Sequence, residues 1–467
     1  MDTLVGRWRF FAAPEGRSYT VTFLIVTSLF LLWGCCNGMI DVMDKHFQDQ
    51  LHLSKAQSAW VQTAHYLGYA LMALPAGLLA RAIGYKGGII TGLLLVSAGG
   101  FWFIAATHIE TFWAFLLGVC VIAMGLTVLE TVANPYTTLL GPRKYGAFRI
   151  NLAQTFNGIG WMLGPIIGGA FFYSAAGVEV AQGQLYIPYV GVAVVVLVLA
   201  MIFRFAYVPD LVAPERHGVD EASGVGGVSG SAAEGERETS RRSIWTRGHF
   251  VGGVLAQFLY VAAQAGIFSF FINYMVSESP PLSLGLQGSW VLHNGIAARG
   301  GESFVSEEGA ARLQGLVGFG LFTLGRLTGS VLLGRVRPYR MLGAYSVVNA
   351  VLCVVVALKL GWVSVVAVFL TFFFMSISFP TIFALGIDGL GAQAKKASAF
   401  LVMAILGGAI MPKLMGYIGD VADMSKAFCV PLGCFALIGI YGYAWPRLSG
   451  SDRVSEAGRG AEVLRRV

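Results

Sequence analysis

Leu129-Glu-Thr-Val-Ala-Asn-Pro-Tyr136 places a carboxylate and an amide inside a stretch that is otherwise apolar enough to lie in lipid. The apolar run around it, from about Phe112 to Leu140, is longer than the ~20 residues a helix needs to cross a bilayer. Glu130 sits well inside that run. An ionisable group near the bilayer centre costs roughly 2.5 to 3.5 kcal/mol even on the mildest scales, so by default such a residue faces a cavity and serves a transported species. The alternative is a protonated Glu130 hydrogen-bonded between helices, which would make the acid purely structural. The rest of the chain reads as scaffold for the cavity.

Composition places the whole chain in the membrane class. Mean hydropathy is +0.69, and only 12% of the 467 residues are charged, about half the roughly 25% of a soluble domain. The first 19 residues carry Arg7, Arg9 and Arg17 but lack the short apolar run and small-residue cleavage site of a signal peptide, so the first hydrophobic segment is expected to stay as a membrane helix. Cys35, Cys36, Cys120, Cys353, Cys429 and Cys434 all fall in apolar segments without the paired spacing of a zinc or redox site. Disulfides, metals and other cofactors are therefore not expected. The net charge of +7 is spread over short loops, which fits topology better than a nucleic-acid patch.

A window of ~19 residues divides the chain into twelve spans. They are approximately Thr20 to Asp41, Ser58 to Ala80, Gly87 to Ala106, Phe112 to Leu140, Ala147 to Tyr173 and Tyr186 to Val208, then Phe250 to Val276, Ala311 to Gly334, Met341 to Leu360, Val363 to Ile387, Ala397 to Gly419 and Ala427 to Trp445. Basic residues gather on one side: Arg7, Arg9, Arg17, Arg81, Lys86, Arg143, Lys144, the cluster Arg237 to Arg247, Arg335, Arg337, Arg340, Lys395, Lys396 and the tail from Arg447. The other side has Lys45, Lys55, Arg299, Arg312, Lys359 and Lys426. The positive-inside rule makes the first side, and both termini, cytoplasmic in the inner (plasma) membrane.

The polar stretch from Gly218 to Glu236 cannot form a packed core. It separates an N-terminal bundle, 1–208, from a C-terminal bundle, 248–446, with a cytoplasmic linker at 209–247 and a tail at 447–467. A second long segment, Ser277 to Ala310, holds Pro280, Pro281 and several glycines and is expected as a solvated outer loop, with a lid as the alternative. The halves resemble each other. Leu78-Leu-Ala-Arg-Ala-Ile-Gly-Tyr-Lys86 corresponds to Leu332-Leu-Gly-Arg-Val-Arg-Pro-Tyr-Arg340, Asn134-Pro-Tyr to Phe379-Pro-Thr, and Pro165 with Gly169 to Pro412 with Gly416. Each match pairs span n with span n+6. The expected fold is all-α: twelve transmembrane helices in two pseudo-symmetric six-helix bundles, with the substrate site between them near the midplane.

Polar residues inside the spans fall on shared faces, because positions three, four and seven apart lie on one side of a helix. Span five carries Asn151, Gln154, Asn157 and Trp161; span seven carries Gln257, Tyr260, Gln264 and Phe268, with Asn273 further on; span one carries Trp33, Asn37 and Asp41. Amides meet hydroxyls and rings cover apolar sugar faces, so the set suits a neutral polyhydroxylated ligand. Interhelical hydrogen bonding is the structural alternative, at only ~0.6 kcal/mol per contact. Asp41 reads either as a buried acid or as the plain outer terminus of span one. Two carboxylates at different depths, Asp41 and Glu130, would let a proton enter from outside, bind with substrate and leave inside.

These residues carry a resemblance. Trp33 to Asp41, Tyr66-Leu-Gly-Tyr69, Leu74-Pro-Ala-Gly-Leu-Leu79, Leu129 to Tyr136, Phe148-Arg-Ile-Asn-Leu-Ala-Gln-Thr-Phe-Asn157, Ala256 to Gln264 and Ser376-Ile-Ser-Phe-Pro-Thr-Ile-Phe383 closely resemble the fucose:proton symporter group of the major facilitator superfamily. The match runs through nearly all the spans in order. It implies a rocking two-bundle fold and proton-driven uptake of a monosaccharide, L-fucose or a related hexose or deoxyhexose, by a chain expected to be a monomer with protons as its coupling ion. It places Asp41 on the group's proton-carrying Asp and Glu130 on the Glu that couples proton to sugar. Gln154 and Asn157 fall on polar cavity residues. The expected substrate-binding set is therefore Trp33, Asn37, Glu130, Gln154, Asn157, Trp161, Tyr260, Gln264 and Phe268. Arg81 stands where the wider superfamily has an acid, a change the fucose group shares. The outer loop after span seven and the central linker are longer here.

Three other readings compete. A proton-coupled exporter of small amphipathic compounds would carry a more apolar cavity than these amide-bearing faces. A membrane enzyme needs a nucleophile with its base, or a metal constellation, and the sequence offers neither. A transporter-like sugar sensor needs an output domain, whereas the linker and tail read as disordered.

Overall fold

The computed structural model describes residues 11, 18–109, 111–142, 146–173, 187–209, 243–292, 295–333, 336–388, 390 and 394–450. The linker from Gly218 to Glu236 and the tail beyond residue 450 lie outside the described residues. In lipid every backbone polar group has to be satisfied within the protein, which leaves helices as the natural answer to runs this apolar.

The helices are α1 (Thr20–Gln50), α2 and α3 (the two limbs of Trp60–Ile109), α4 (Phe112–Leu139), α5 (Gly146–Tyr173) and α6 (Ile187–Phe205). The second half has α7 (Gly248–Ser269, prolonged by Phe271–Glu278), α8 (Glu307–Leu333), α9 (Pro338–Ala357), α10 (Trp362–Ile387), α11 (Ala394–Met403 and Gly407–Val421) and α12 (Cys429–Ser449). The turn between α2 and α3 falls at Gly84, whose φ of 72° is a conformation that only glycine adopts at no steric cost. Nine runs among the described residues are long and apolar enough to cross a membrane. The other three helices are α6, whose apolar stretch is shorter, and α2 and α5, which carry much of the buried polar chemistry described below.

Packing repeats the sequence symmetry. In the first half α1 packs on α5, α3 on α6, and the α2–α3 pair on α4; in the second α7 packs on α11, α9 on α12, and α8 and α9 on α10. Each pair maps onto its counterpart six helices later, so the chain builds two related six-helix bundles. One tight seam is α1 against α5. Gly34 and Gly38 on one helix face Gly160 and Gly164 on the other, and a Cβ at Gly34 would stand 2.1 Å from the Asn157 carbonyl oxygen. Small residues four apart are how membrane helices bring their backbones together. Arg149 is buried because its guanidinium donates to the carbonyls of Thr137 (3.0 Å), Pro142 (3.1 Å) and Gly141 (3.2 Å), closing the end of α4.

The bundles meet through α1–α7, α2–α11 and α5–α8. Every hydrogen bond between them among the described residues lies in the half away from Thr20, where α1 ends; we call that end the far face. An apolar cluster also runs across both bundles there, joining Met39 and Phe47 to Phe268 and Phe372.

Three expectations change. Helix α1 does not stop at Asp41 but continues to Gln50, with Val42, Asp44 and Phe47 buried, so Asp41 is no helix terminus. Span eight begins at Glu307, capped by Ser306, and contains a π-turn at Gln314–Gly318. The segment 277–310 is more than a solvated loop. It holds an antiparallel hairpin of β1 (Ile296–Arg299) and β2 (Glu302–Val305) turned by Gly300 and Gly301, with φ of 57° and 85°, as a two-residue hairpin turn requires.

Candidate substrate and proton site

The N-terminal side of the site is built on α1, α2 and α4. Trp33 donates from Nε1 to the Tyr69 hydroxyl at 2.7 Å, and the Asn37 amide lies 3.5 Å from the same oxygen. Four-residue spacing on α1 puts Trp33 and Asn37 on one face, and Tyr69 on α2 locks both. The Glu130 carboxyl faces Tyr69 closely enough to act on it electrostatically. Glu130 is half-buried and has no hydrogen-bond partner among the described residues. Asn134, on the next turn of α4, accepts from Gln154 Nε2 at 3.0 Å. Pro135 beside it lacks the N–H that would otherwise bond back along the helix, which loosens α4 at this depth.

The C-terminal side comes from α7. Tyr260 and Gln257 are fully buried, and among the described residues neither the phenol oxygen nor either amide atom has a partner. Gln264 is half-buried and likewise uncommitted among the described residues. A buried polar group left unsatisfied costs about 1 to 3 kcal/mol, so Gln257 and Tyr260 are poised to gain from a ligand that brings hydroxyls, and the half-buried Glu130 and Gln264 add polar groups uncommitted among the described residues. Arg326 on α8 donates to the Ser376 carbonyl at 3.4 Å, lies 4.8 Å over the Phe322 ring and acts electrostatically on Tyr260.

Trp161 and Phe268 do not stand with these groups as open ligands. Their rings are 5.8 Å apart across the bundle interface, with Phe319 5.1 Å from Trp161 and Phe372 4.8 Å from Phe268. This aromatic plug closes the site towards the far face. Asn157 is also committed: its amide donates to the Phe30 carbonyl at 3.3 Å, so here it ties α5 to α1. Asp41 lies beyond the plug and is separated from Glu130. It accepts from Gln62 Nε2 at 3.1 Å and from Gln314 Nε2 at 3.4 Å, and Gln314 also donates to the Phe268 carbonyl at 2.8 Å. The amide of Gln314 thus links an acid of one bundle to the backbone of the other.

Beyond Asp41 the far face is latched. Asn273 donates to Gln48 at 2.5 Å, Thr63 to the Ala409 carbonyl at 2.7 Å, and Lys413 lies over the Trp60 ring. Asp420 accepts from the backbone N–H of Lys55 at 2.9 Å and of Ala56 at 2.8 Å. Sequence reasoning missed Tyr69, Gln62 and Gln314 as site residues. The first two were within reach, because Gln62, Tyr66 and Tyr69 repeat at four and three residues along α2. Gln314 carried no signal, since its role depends on the π-turn and on which face is closed.

Comparison with known proteins follows the same lines. Residues 22–412 match the sequence profile of the Major Facilitator Superfamily. The chain is 33% identical over 448 residues to the L-fucose-proton symporter of Escherichia coli (strain K12), covering 92% of this chain and 94% of that protein. It is 30% identical over 429 residues to a glucose/galactose transporter of Brucella abortus biovar 1 (strain 9-941), covering 91% and 94%. The crystal structure of the transporter FucP in the outward conformation matches with a TM-score of 0.61 at 33% identity, over 92% of this chain and 99% of that one. A bacterial homologue of Spinster in an inward-facing, unoccupied conformation shares the fold, with a TM-score of 0.66 at 15% identity over 93% and 98%. Since these matches run through both six-helix bundles and not through one half alone, the chain belongs to the Major Facilitator Superfamily, in the group that contains the fucose-proton symporter.

Proposed function

We propose that the protein is a proton-coupled symporter that imports a monosaccharide, L-fucose or a related hexose or deoxyhexose, by exposing one site alternately to the two sides of the membrane. The observation that carries this reading is Glu130: a half-buried carboxyl on a membrane helix, uncommitted among the described residues and in electrostatic reach of Tyr69, in a chain whose α7 also carries unsatisfied amide and phenol groups. Those groups offer a sugar both donors and acceptors. The relatives, named as sugar symporters or transporters, support the same class. By the positive-inside rule the far face is outside and both termini are cytoplasmic in the inner membrane, so the latched far face belongs to an inward-facing carrier. The chain works as a monomer, needs no cofactor besides protons and makes no covalent change in its substrate.

In this reading Asp41 takes up the proton and Glu130 joins proton state to sugar contact. A neutral Asp41 lets the amides of Gln62 and Gln314 close over it without burying a charge, so the gate shuts readily only on a protonated carrier. The test is to measure pH-driven accumulation and equilibrium exchange of sugar in proteoliposomes. Asp41→Asn should abolish accumulation and keep exchange, while Glu130→Ala should damage both. Accumulation against a gradient by Asp41→Asn would remove Asp41 from coupling.

A further inference from the structure

Asp44 is an acid that the coupling scheme above does not use. It follows Asp41 on α1, is 1% exposed, and neither of its carboxyl oxygens has a hydrogen-bond partner among the described residues. Two hydroxyls lie against it: Ser58, just before α2, and Ser269, at the end of α7 in the other bundle. Ser58 is already engaged, donating to the Lys55 carbonyl at 3.1 Å, whereas the Ser269 oxygen is also unpartnered among the described residues. The charged groups that face Asp44 are Asp41 and Lys45, both on its own helix, and the Lys45 ammonium is held by Asp49. Among the described residues, the elements packed against Asp44 from α2 and α7 bring it hydroxyls and no counter-charge.

The closed gate therefore treats its two acids differently. Asp41 meets two amide N–H donors. Asp44 meets a hydroxyl, which can accept from a protonated carboxyl or donate to an ionised one, so ionisation here would leave a buried charge with no cation from the facing elements to offset it. Polar groups lead towards Asp44 from one side. A polar recess lined by Gln48, Asp49, His52, Ser54, Lys55 and Asp420 opens on the far face, and Gln48 reaches Ser58 at 3.4 Å, next to Asp44.

We propose that Asp44 is a second proton-binding site, filled from the far face, whose occupancy is required for the two bundles to close there. This rests on reading the chain as a proton-coupled carrier, but its test needs no sugar. Spin labels are placed at Thr111 and Leu360, exposed far-face positions in different bundles, in the full-length protein in lipid nanodiscs with the exposed Cys429 replaced by serine. Pulsed EPR then reads the closed-to-open ratio against pH. In an Asp41→Asn background the ratio should still fall, by about tenfold per pH unit once the open-state Asp44 ionises. Adding Asp44→Asn should flatten that profile, and Asp44→Leu, which has a similar volume and no polar atom, should flatten it too. The proposal is overturned if the Asp41→Asn protein closes independently of pH, or if its slope survives both Asp44 substitutions. A protein that closed as described but took up no sugar would lose the proposed substrate and keep this site.

Discussion

Asp420→Ala is the sharpest test of whether the far-face contacts hold the carrier shut. Asp420 stands near the end of α11 and binds the other bundle through two backbone N–H groups, those of Lys55 and Ala56, at 2.9 and 2.8 Å. The Lys55 ammonium adds a 3.7 Å ion pair and its own bond to the Gly419 carbonyl at 2.9 Å. The side chains of Lys55 and Asp420 are 27% and 25% exposed, so the low end of the range for hydrogen bonds to a charged group applies, about 1.5 kcal/mol each. The partly solvated ion pair adds ~0 to 1 kcal/mol. Losing about 3 kcal/mol shifts the closed-to-open ratio roughly a hundredfold at ~1.4 kcal/mol per tenfold. Asp420→Asn keeps one acceptor oxygen and should shift it about tenfold by the same arithmetic. The Thr111–Leu360 spin-label distance reads both variants at one pH. A shift below about threefold for Asp420→Ala, under ~0.7 kcal/mol, would mean that the aromatic plug and apolar seam close the face and the polar latch merely decorates it.

Two further outcomes follow from packing and charge. Gly34→Ala should lower the melting temperature by the equivalent of about 1 to 3 kcal/mol of overpacking, because its methyl meets the Asn157 carbonyl; Gly77→Ala, whose Cβ meets nothing within 4 Å, is the control, and equal melting of the two would refute the seam. Outside the membrane spans, Lys359 bridges Glu278 at 3.1 Å and Asp423 at 3.3 Å, and Lys426 reaches Asp423 at 2.9 Å. Burial pulls the Asp423 carboxyl up, but the Lys426 N–H and the two ammonium groups outweigh it and hold the group below the usual carboxylate range. Burial likewise pulls the Lys359 ammonium down, and its bonds to Glu278 and Asp423 outweigh that and hold it above the usual lysine range. The contribution of Asp423 is present above its unfolded value and lost as pH falls through the lower folded one; that of Lys359 is present below its unfolded value and lost as pH rises through the higher folded one. Asp423→Asn should therefore melt earlier than the parent at neutral pH and match it in strong acid, and a gap that persists unchanged in acid would exclude the charge explanation.

What the sequence made legible was whatever depends on local pattern. Apolar runs, their punctuation and the n-to-n+6 matches were enough to predict twelve helices in two bundles, and Glu130 stood out because its own run betrays it. The extent of α1 was not legible. Asp44, Lys45 and His46 come in succession and read as the start of a loop, although Val42, Met43 and Phe47 continue the apolar pattern around them. What buries them is packing against the end of α7 and the start of α2, which no local window contains. The hairpin at 296–305 did carry a signal, Gly300-Gly301 between short strand-like runs, but it was outweighed by the polarity of the segment as a whole. Asn157 and Trp161 share a face with Gln154, as periodicity requires, yet their contacts diverge: one bonds to backbone, one plugs the interface, one holds Asn134. Periodicity fixes direction around a helix and leaves depth, and therefore role, to the neighbours.

The proposed roles of Asp41 and Asp44 put two acids in one gate and raise the question of how many protons each sugar carries; on that proposal their positions on α1 give one. Asp44 lies further along α1 than Asp41, nearer the far face, and a polar recess lined by Gln48, one turn further on, opens on that same face. Its proton therefore enters from the side to which it returns when the gate reopens, so it governs closing without crossing the membrane. In the proposed reading the proton that crosses is the one passed between Asp41 and the Glu130 level. One proton moving through 100 mV releases about 2.3 kcal/mol, enough for roughly a fifty-fold sugar gradient at ~1.4 kcal/mol per tenfold; two would allow roughly two-thousand-fold. Vesicles holding the unmodified carrier, clamped at about 100 mV with no pH gradient, should thus stop accumulating sugar near fifty-fold, even though the pH dependence of far-face closure is steeper than one proton can produce. A plateau well beyond that ratio would show that the Asp44 proton crosses as well, and the recess would then have to be matched by an exit towards the Thr20 end.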